Sequence, residues 1–375
     1  MTGTEYDLVV VGGGVMGCAA ALRCAAGGMK TAVVEKDSLG SGASGVNAGT
    51  LSLQIKRAAL MQYAIRGLAI WKDAGTAVGY HRTGGYTLAF SAREATLLEE
   101  RVTSKRAAGA PVSMISLQAL RRQEPALSDR VVAASTCPED GFADSSLTGY
   151  YYRKLLAVAD VAVYEQTPVA GIVPVADGYE LVTSQGILTA RRILLAGGAW
   201  LKTLLPMLGT SLPVEARVNT VSVLERGPAI VGSVIGHATG LLTLKQKPNG
   251  SVLIGGGWQG SGSPEVGRGS VVAASLLTNL RLARFPVPGL ADRRLLRSWT
   301  GFEAHVPDYY PLAGRLPGHD NAFVLGCVRG GYTIGPYIAH LMGDLILDKE
   351  PELPLFNPGR FNSEPIHSDQ PQGHP

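Results

Sequence analysis

A run of apolar, mostly β-branched residues, Leu8 to Val11, stops at three glycines, Gly12, Gly14 and Gly17, spaced as G-x-G-x-x-G. An apolar run without polar alternation is the pattern of a strand buried on both faces. "CAAALRCAAGG" then reads as a small-residue helix ending at Gly27–Gly28. "KTAVVEK" reads as a second strand with Glu35 at its end. Each piece has a mechanical task. Gly12 permits the tight turn, Gly14 lets the backbone approach a pyrophosphate, and Gly17 lets helix and strand pack closely. The helix opens at Val15 and Met16, and its first N–H groups and partial positive charge suit phosphates. Glu35, with Lys36 beside it, accepts hydrogen bonds from an adenosine ribose and repels the 2′-phosphate of NADP. The spacing alone is weak, and its place between strand and helix, with the acid following, makes it a dinucleotide signature. A plain NAD dehydrogenase stays open on this motif alone.

The stretch that follows separates NAD from FAD. An NAD enzyme runs on into further βα units, whereas this chain enters "DSLGSGASGVNAGTLS". Ser41, Ser44, Asn47, Ala48, Gly49 and Leu51 lie in it, with few bulky side chains and many N–H and hydroxyl donors. Such a segment suits the length of an extended cofactor and reaches toward an isoalloxazine ring. The alternative is a flexible surface loop.

At this point the sequence resembles the FAD-dependent amine and amino-acid oxidoreductases of the D-amino-acid oxidase and glycine oxidase superfamily. "NAGTLS" is similar to the corresponding stretch in bacterial D-amino-acid dehydrogenases. The resemblance continues through "YHRTGGYTLAF" (Tyr80–Phe90), "EDGFADSSLTGYYYRKLL", "GILTARRILLAGGAW" (Gly186–Trp200), "VLIGGGWQG", "PDYYPLAG" and "VLGCVRGGYTIGPYIAHLMGDLI". It implies an α/β fold: a Rossmann-like FAD-binding domain of the glutathione-reductase type, interleaved with an α+β substrate domain on an antiparallel sheet. The FAD domain is expected from 1–77, 142–205 and 300–362, the substrate domain from 78–141 and 206–299, and a fraying tail from 363–375. Alternating strands such as "NTVSVLERG" suit the antiparallel sheet. "SAREATLLEERVTSKRAAG" and "GSVVAASLLTNLRLARF" read as helices with solvated faces. The resemblance adds Val169, Ala196, Gly197, Trp200, Gly301, Gly330, Gly331, Tyr332, Thr333 and Ile334 to the cofactor-binding set. Pro336 is expected near a helix start, where its missing N–H costs nothing. That helix N-terminus suits negative charge on a reduced flavin.

The chemistry implied is oxidation of a carbon–nitrogen bond by hydride transfer to flavin N5, followed by hydrolysis of the imine. Such a reaction needs orientation and water exclusion more than acid–base groups. The family anchors a substrate carboxylate with an arginine, and here "GFEAHVPDYYP" places Glu303 at that position. This charge reversal suggests that Glu303 faces a cationic part of a larger substrate, or that Arg329 holds the carboxylate instead. The plainer reading is an ion pair of Glu303 with Arg297. Tyr332 is a further catalytic candidate, through its hydroxyl, and His305 a weaker one. Among subfamilies the chain looks most like the FAD-containing members of multi-subunit dehydrogenases: opine (octopine or nopaline type) dehydrogenase, hydrogen cyanide synthase and dye-linked proline dehydrogenase. This implies electron-accepting partner subunits and leaves open an FMN at a subunit interface. A free-standing oxidase of glycine, sarcosine or a D-amino acid is the alternative, and a non-catalytic flavoprotein subunit a further one.

Composition closes other routes. The net charge of +4 is dispersed, with no basic block for nucleic acid. Cys18, Cys24, Cys137 and Cys327 form no C-x-x-C pair, and the histidines show no ligand spacing, so no metal site is expected. Reduced thiols, with no signal peptide and no long apolar span, point to the cytoplasm.

Overall fold

The computed structural model describes residues 4–361. The expected tail, 363–375, lies outside the described residues. Two eight-stranded sheets organise these residues. At the centre of the first, Thr4–Val11 runs parallel to Thr31–Val34 on one side and to Gly186–Leu195 on the other. Ala162–Tyr164 extends the parallel part beyond Thr31–Val34. Ala322–Gly326 also pairs parallel with Gly186–Leu195. Leu8, Val9, Val10 and Val11 are all buried, as a strand covered on both faces must be.

The second sheet is mostly antiparallel. Its order is Leu295–His305, Glu215–Leu224, Val252–Gly255, Thr243–Gln246, Val234–His237, Gly85–Ala89, Ala133–Cys137, Ser113–Ile115. The pair Glu215–Leu224 and Leu295–His305 runs in register from Glu215↔His305 to Val223↔Arg297, then shifts by one residue to Leu224↔Leu295. Residues 300–305 lie in the strand Leu295–His305 and so in the second sheet. A small antiparallel sheet of Thr50–Leu51, Gly141–Phe142 and His81–Arg82 sits where the chain passes from one sheet to the other.

Two helices define the end of the first sheet where a ligand would sit. Val15–Ala26 follows the first strand, and Gly331–Ile346 follows Ala322–Gly326. They lie side by side and parallel. Gly335 faces Met16, Arg23 Nε donates to Asp344 Oδ1 at 2.8 Å, and Gly27 faces Leu347. Both N-termini therefore open at the same end. Gly331–Ile346 is apolar nearly all round, and it is almost wholly buried. Pro336 lies inside that helix, five residues beyond its first residue, which corrects the expected place at its start. A proline there orphans the carbonyl of Tyr332. Trp71 Nε1 donates to that carbonyl, so the cost is offset.

Candidate flavin and substrate site

The nucleotide end begins at the turn between Val11 and Val15. Gly12 adopts φ +115°, and a Cβ there would lie 2.5 Å from the carbonyl oxygen of Ala196. Ala196 N in turn donates to Val11 O at 2.8 Å, so turn and neighbouring strand are locked together. Gly14 is the N-cap and supplies no capping side chain, and the first turn carries no acid. Val15 N–H is met by Ser44 Oγ at 2.9 Å. A buried helix N-terminus without a charged cap is a receptor for an anion. Glu35 follows the second strand. Its Oε2 accepts from Gly13 N–H at 2.7 Å and its Oε1 from Asp37 N–H at 2.9 Å. The carboxylate is thus pinned beside the glycine turn with lone pairs left for ribose hydroxyls. Thr167 N–H donates to Glu35 O at 2.9 Å, two residues before Val169 in the chain. Lys36 lies over the Trp200 ring at 4.3 Å, and Gly197 packs on Leu204. These residues fit the adenosine diphosphate half of FAD.

The Ser/Gly-rich stretch is an ordered strap. Ser41 N–H bonds Ser38 O, and a short helix, Ala43–Val46, follows. Asn47 spends its side chain on the strap itself, donating to Ala43 O and Ser44 O and accepting from Gly49 N–H. Ala48 touches the second sheet at Gly255, and Gly301 leaves room for Val46. Trp299 Nε1 fastens Val46 O at 2.7 Å. Leu51 is fully buried, as are Thr333 and Ile334 on the closing helix. Thr333 Oγ1 is buried without a hydrogen-bond partner.

Two buried lysines, Lys245 and Lys56, and the half-buried Lys105 lie at this strap and the segment after it. Lys245 is 1% exposed and donates from Nζ to Thr50 Oγ1 at 2.6 Å. Burial, then Lys247, brings its ammonium down to about 7. Lys56 donates to Gly330 O at 2.7 Å. Burial lowers it to about 8 against the opposing pull of Glu303 and Asp140. Lys105 donates to Gln54 O and is likewise lowered to about 8, mainly by burial. Asp140 is buried among Ser52, Leu53 N–H and Gln54, and burial raises its carboxyl.

The catalytic candidates separate here. Tyr332 is 8% exposed. Its ring stacks on Trp71 at 4.4 Å and its hydroxyl bonds Thr148 Oγ1 at 3.0 Å, because the helix turns it into the core. Glu303 does not pair with Arg297, which instead lies over Trp299. Its Oε2 accepts from Asn219 Nδ2 and its Oε1 from the N–H of Gly330, the latter at 3.1 Å. Gly330 has φ +63° and leads into the closing helix. A side chain there would run into Lys56 Nζ. Glu303 is therefore a brace between the second sheet and the closing helix.

Arg329 joins a cluster the sequence did not single out. Arg217 stands opposite Glu303 on the paired strand, and Arg57 follows the strap. Arg57, Arg217 and Arg329 lie 5.8, 5.1 and 5.6 Å from the centre of the Tyr309 ring. His305 stacks on the same ring at 5.3 Å. Burial, then Arg217, lowers the His305 imidazole, so it is neutral at pH 7. The doublet Lys56–Arg57, just after the strap, was the available sequence signal.

Comparison with known proteins agrees with this geometry. Residues 7–345 match the family described as FAD dependent oxidoreductase. A subunit of the opine oxidase of Rhizobium meliloti is 26% identical over 96% of this chain and 99% of its own. Glycine oxidase of Geobacillus kaustophilus is 28% identical over 92% of this chain and 94% of its own. The crystal structure of a glycine oxidase from the same organism superposes with a TM-score of 0.83 at 25% identity, covering 94% of this chain and 97% of that one. L-Proline dehydrogenase from P. horikoshii shares the fold, with a TM-score of 0.89 at 22% identity over 96% and 99% of the two chains.

Proposed function

This chain belongs to the family of FAD-dependent oxidoreductases, and we propose that it oxidises the carbon–nitrogen bond of an amino acid or a secondary, opine-like amine as the catalytic member of a multi-subunit dehydrogenase. FAD is its cofactor and it is an oxidoreductase of CH–NH groups. Bound FAD supplies the two-electron acceptor for the hydride on the carbon beside the amine. The substrate is left as an imine, which water converts to a carbonyl compound and a free amine.

The observation that carries this reading is the pair of parallel helices whose N-termini, at Val15 and Gly331, open at one end of the parallel sheet. One positive end suits a diphosphate, and the other a second centre of negative charge. The chain's own residues do the rest by placement. Glu35 and the turn at Gly12 hold the nucleotide. The strap from Ser41 to Leu51 and the second sheet, joined through Trp299 and Val46, set the wall against which a substrate is oriented. Glu303 keeps Gly330, and with it the start of the closing helix, in position against that wall.

Likeness along nearly its whole length to a subunit of an opine oxidase supports a partner that takes the electrons. Likeness to glycine oxidase supports the second reading, a lone oxidase that uses oxygen. The test is anaerobic addition of sarcosine, glycine and opines to the FAD-loaded chain, alone and with its natural partners. Bleaching of the flavin by at least one amine is expected. An unbleached flavin across the panel, with partners present, refutes the amine reading. Hydrogen peroxide released in air by the chain alone selects the oxidase reading.

A further inference from the structure

We propose that the substrate carries at least two anionic groups, and that Arg57, Arg217 and Arg329 together receive them. This rests on the amine-oxidation reading above and narrows its substrate to polycarboxylic amines, excluding those with a guanidinium arm.

Three guanidinium groups from distant parts of the chain meet around one ring, each within 6 Å of its centre. The nearby acids are otherwise engaged. Asp308 is held by Arg360 at 2.8 Å, Glu215 faces His305 at 3.2 Å, and Glu303 accepts from Asn219 and Gly330. Arg57 reaches Asp308 only at its backbone oxygen, 3.0 Å away. Among the described residues no carboxylate lies within ion-pair distance of Arg57, Arg217 or Arg329. Attraction to a tyrosine face offsets only part of the repulsion among three like charges. Arg329 feels that repulsion. Burial lowers its affinity for its proton, Glu303 opposes this, and Arg217 and Arg57 add to it.

Two further observations mark the cluster as a receptor. Tyr309, at its centre, is a bulky residue at φ +56°, a backbone strain kept only where the surroundings impose it. Its hydroxyl is bound by Arg217. His305, stacked on its ring, is 6% exposed, yet its Nδ1 has no hydrogen-bond partner. The cluster abuts the start of the closing helix through Arg329 and through Glu303 on Gly330.

One carboxylate is satisfied by one guanidinium fork. Three forks, with Lys56 close behind, exceed that need. A cationic substrate arm entering here would meet four positive charges against the single carboxylate of Glu303, each of whose oxygens already accepts from Asn219 or Gly330. The geometry therefore reverses the expectation that Glu303 selects a cationic substrate.

The test uses the FAD-loaded protein and two ligands that cannot be oxidised as amines, succinate and propionate, followed through the visible spectrum of the bound flavin. At low salt succinate is expected to bind about tenfold more tightly than propionate, a second charged contact's worth. Arg217→Gln and Arg329→Gln are expected to shrink that advantage to about threefold or less, with Arg217→Lys recovering part of it. Guanidinoacetate is expected to bind more weakly than propionate. Equal affinity for the two acids in the unmodified protein overturns the inference, as does an advantage untouched in both glutamine variants. Failure of the amine reading shows itself separately. Then sarcosine and iminodiacetate both leave the flavin oxidised under argon, whatever succinate does. If both reduce it with equal KM, amine oxidation stands and the polyanion inference falls.

Discussion

Replacing Gly12 by alanine tests the nucleotide cradle at its tightest point. Two costs follow from the geometry. The residue sits at φ +115°, where an L side chain is strained by about 1–3 kcal/mol. The new Cβ would lie 2.5 Å from the Ala196 oxygen and 2.7 Å from its carbon. Ordinary contact begins near 3.4 Å, so the turn and the neighbouring strand must part by about 0.9 Å (3.4 minus 2.5), an overpacking cost of about 1–3 kcal/mol. Against this, alanine restricts the unfolded chain and returns about 0.4–1 kcal/mol. Gly12 precedes the helix, so no helix propensity is gained. The net is a loss of about 1–6 kcal/mol. Unfolding entropy of about 2.1 cal/mol/K per residue over 375 residues makes each kcal/mol roughly 1.3 °C. The apparent Tm should fall by roughly 1–8 °C. Ligand affinity should suffer more. A displacement near 1 Å breaks a hydrogen bond from a turn N–H to a phosphate, worth about 1.5–3 kcal/mol, or roughly 10- to 100-fold in Kd. Thermal unfolding and quenching of FAD fluorescence measure the two effects. Gly289→Ala, where a Cβ would meet nothing within 4 Å, is the control. FAD affinity within about threefold of the unmodified protein, together with a Tm within about 1 °C, would refute the argument.

Glu35→Gln should weaken FAD by about tenfold in the same fluorescence titration, because a charge-assisted acceptor becomes a neutral one. Tyr332→Phe should lower the apparent Tm by roughly 1–2 °C, through its lost bond to Thr148, and leave kcat/KM within about twofold; a large kinetic loss would restore its hydroxyl to the active site. Lys245 titrates near 7 in the folded protein and at 10.5 ordinarily, so above pH 7 the unfolded chain holds a proton the folded chain has released. Its penalty is complete below about pH 7 and is relieved as pH rises toward 10.5, by up to about 1.4 kcal/mol per pH unit. Thermal unfolding between about pH 6.5 and 8.5 should show the Tm rising in the unmodified protein and rising less in Lys245→Met; parallel slopes would reject the buried-charge account.

What the sequence made legible was local. The Gly12–Gly17 turn, the first helix and Glu35 lie within one strand–helix–strand unit, and each residue type answers a need set by its immediate neighbours. The strand Gly85–Ala89 and the helix over Ala92–Ala107, capped by Ser91, were legible for the same reason. The opposite case is the cluster around Tyr309. Arg57, Arg217 and Arg329 are far apart in the chain, and what joins them is the register of Glu215–Leu224 against Leu295–His305, which sets Arg217 opposite Glu303. No period or spacing encodes that pairing. The charge reversal at Glu303 was visible, yet its meaning was not, because its partners are a backbone N–H and an amide from other segments. Pro336 failed differently. A helix start was inferred from proline chemistry, while the cost of an internal proline had been met by Trp71, a residue distant in sequence.

The overall charge of +4 gives no hint of how positive this end of the molecule is. Two helix N-termini, the buried ammonium groups of Lys56 and Lys245, the half-buried Lys105 and three guanidinium groups lie at the strap and the segments packed near it, against Glu303, Asp140, Asp308 and Glu215. Burial disfavours the buried cations, and the lowered lysines record that cost. A fold that hides so much positive charge loses stability unless an anion arrives to use it. Three kinds of negative charge meet that condition in an FAD enzyme of this family: the diphosphate of the cofactor, the charge its ring gains on reduction, and the carboxylates of the substrate. On the function proposed above, the Val15 helix end would meet the first and the Gly331 end, with Lys56 at Gly330, the second. The arginines around Tyr309 would then answer to the third, which is the charge the proposed substrate brings.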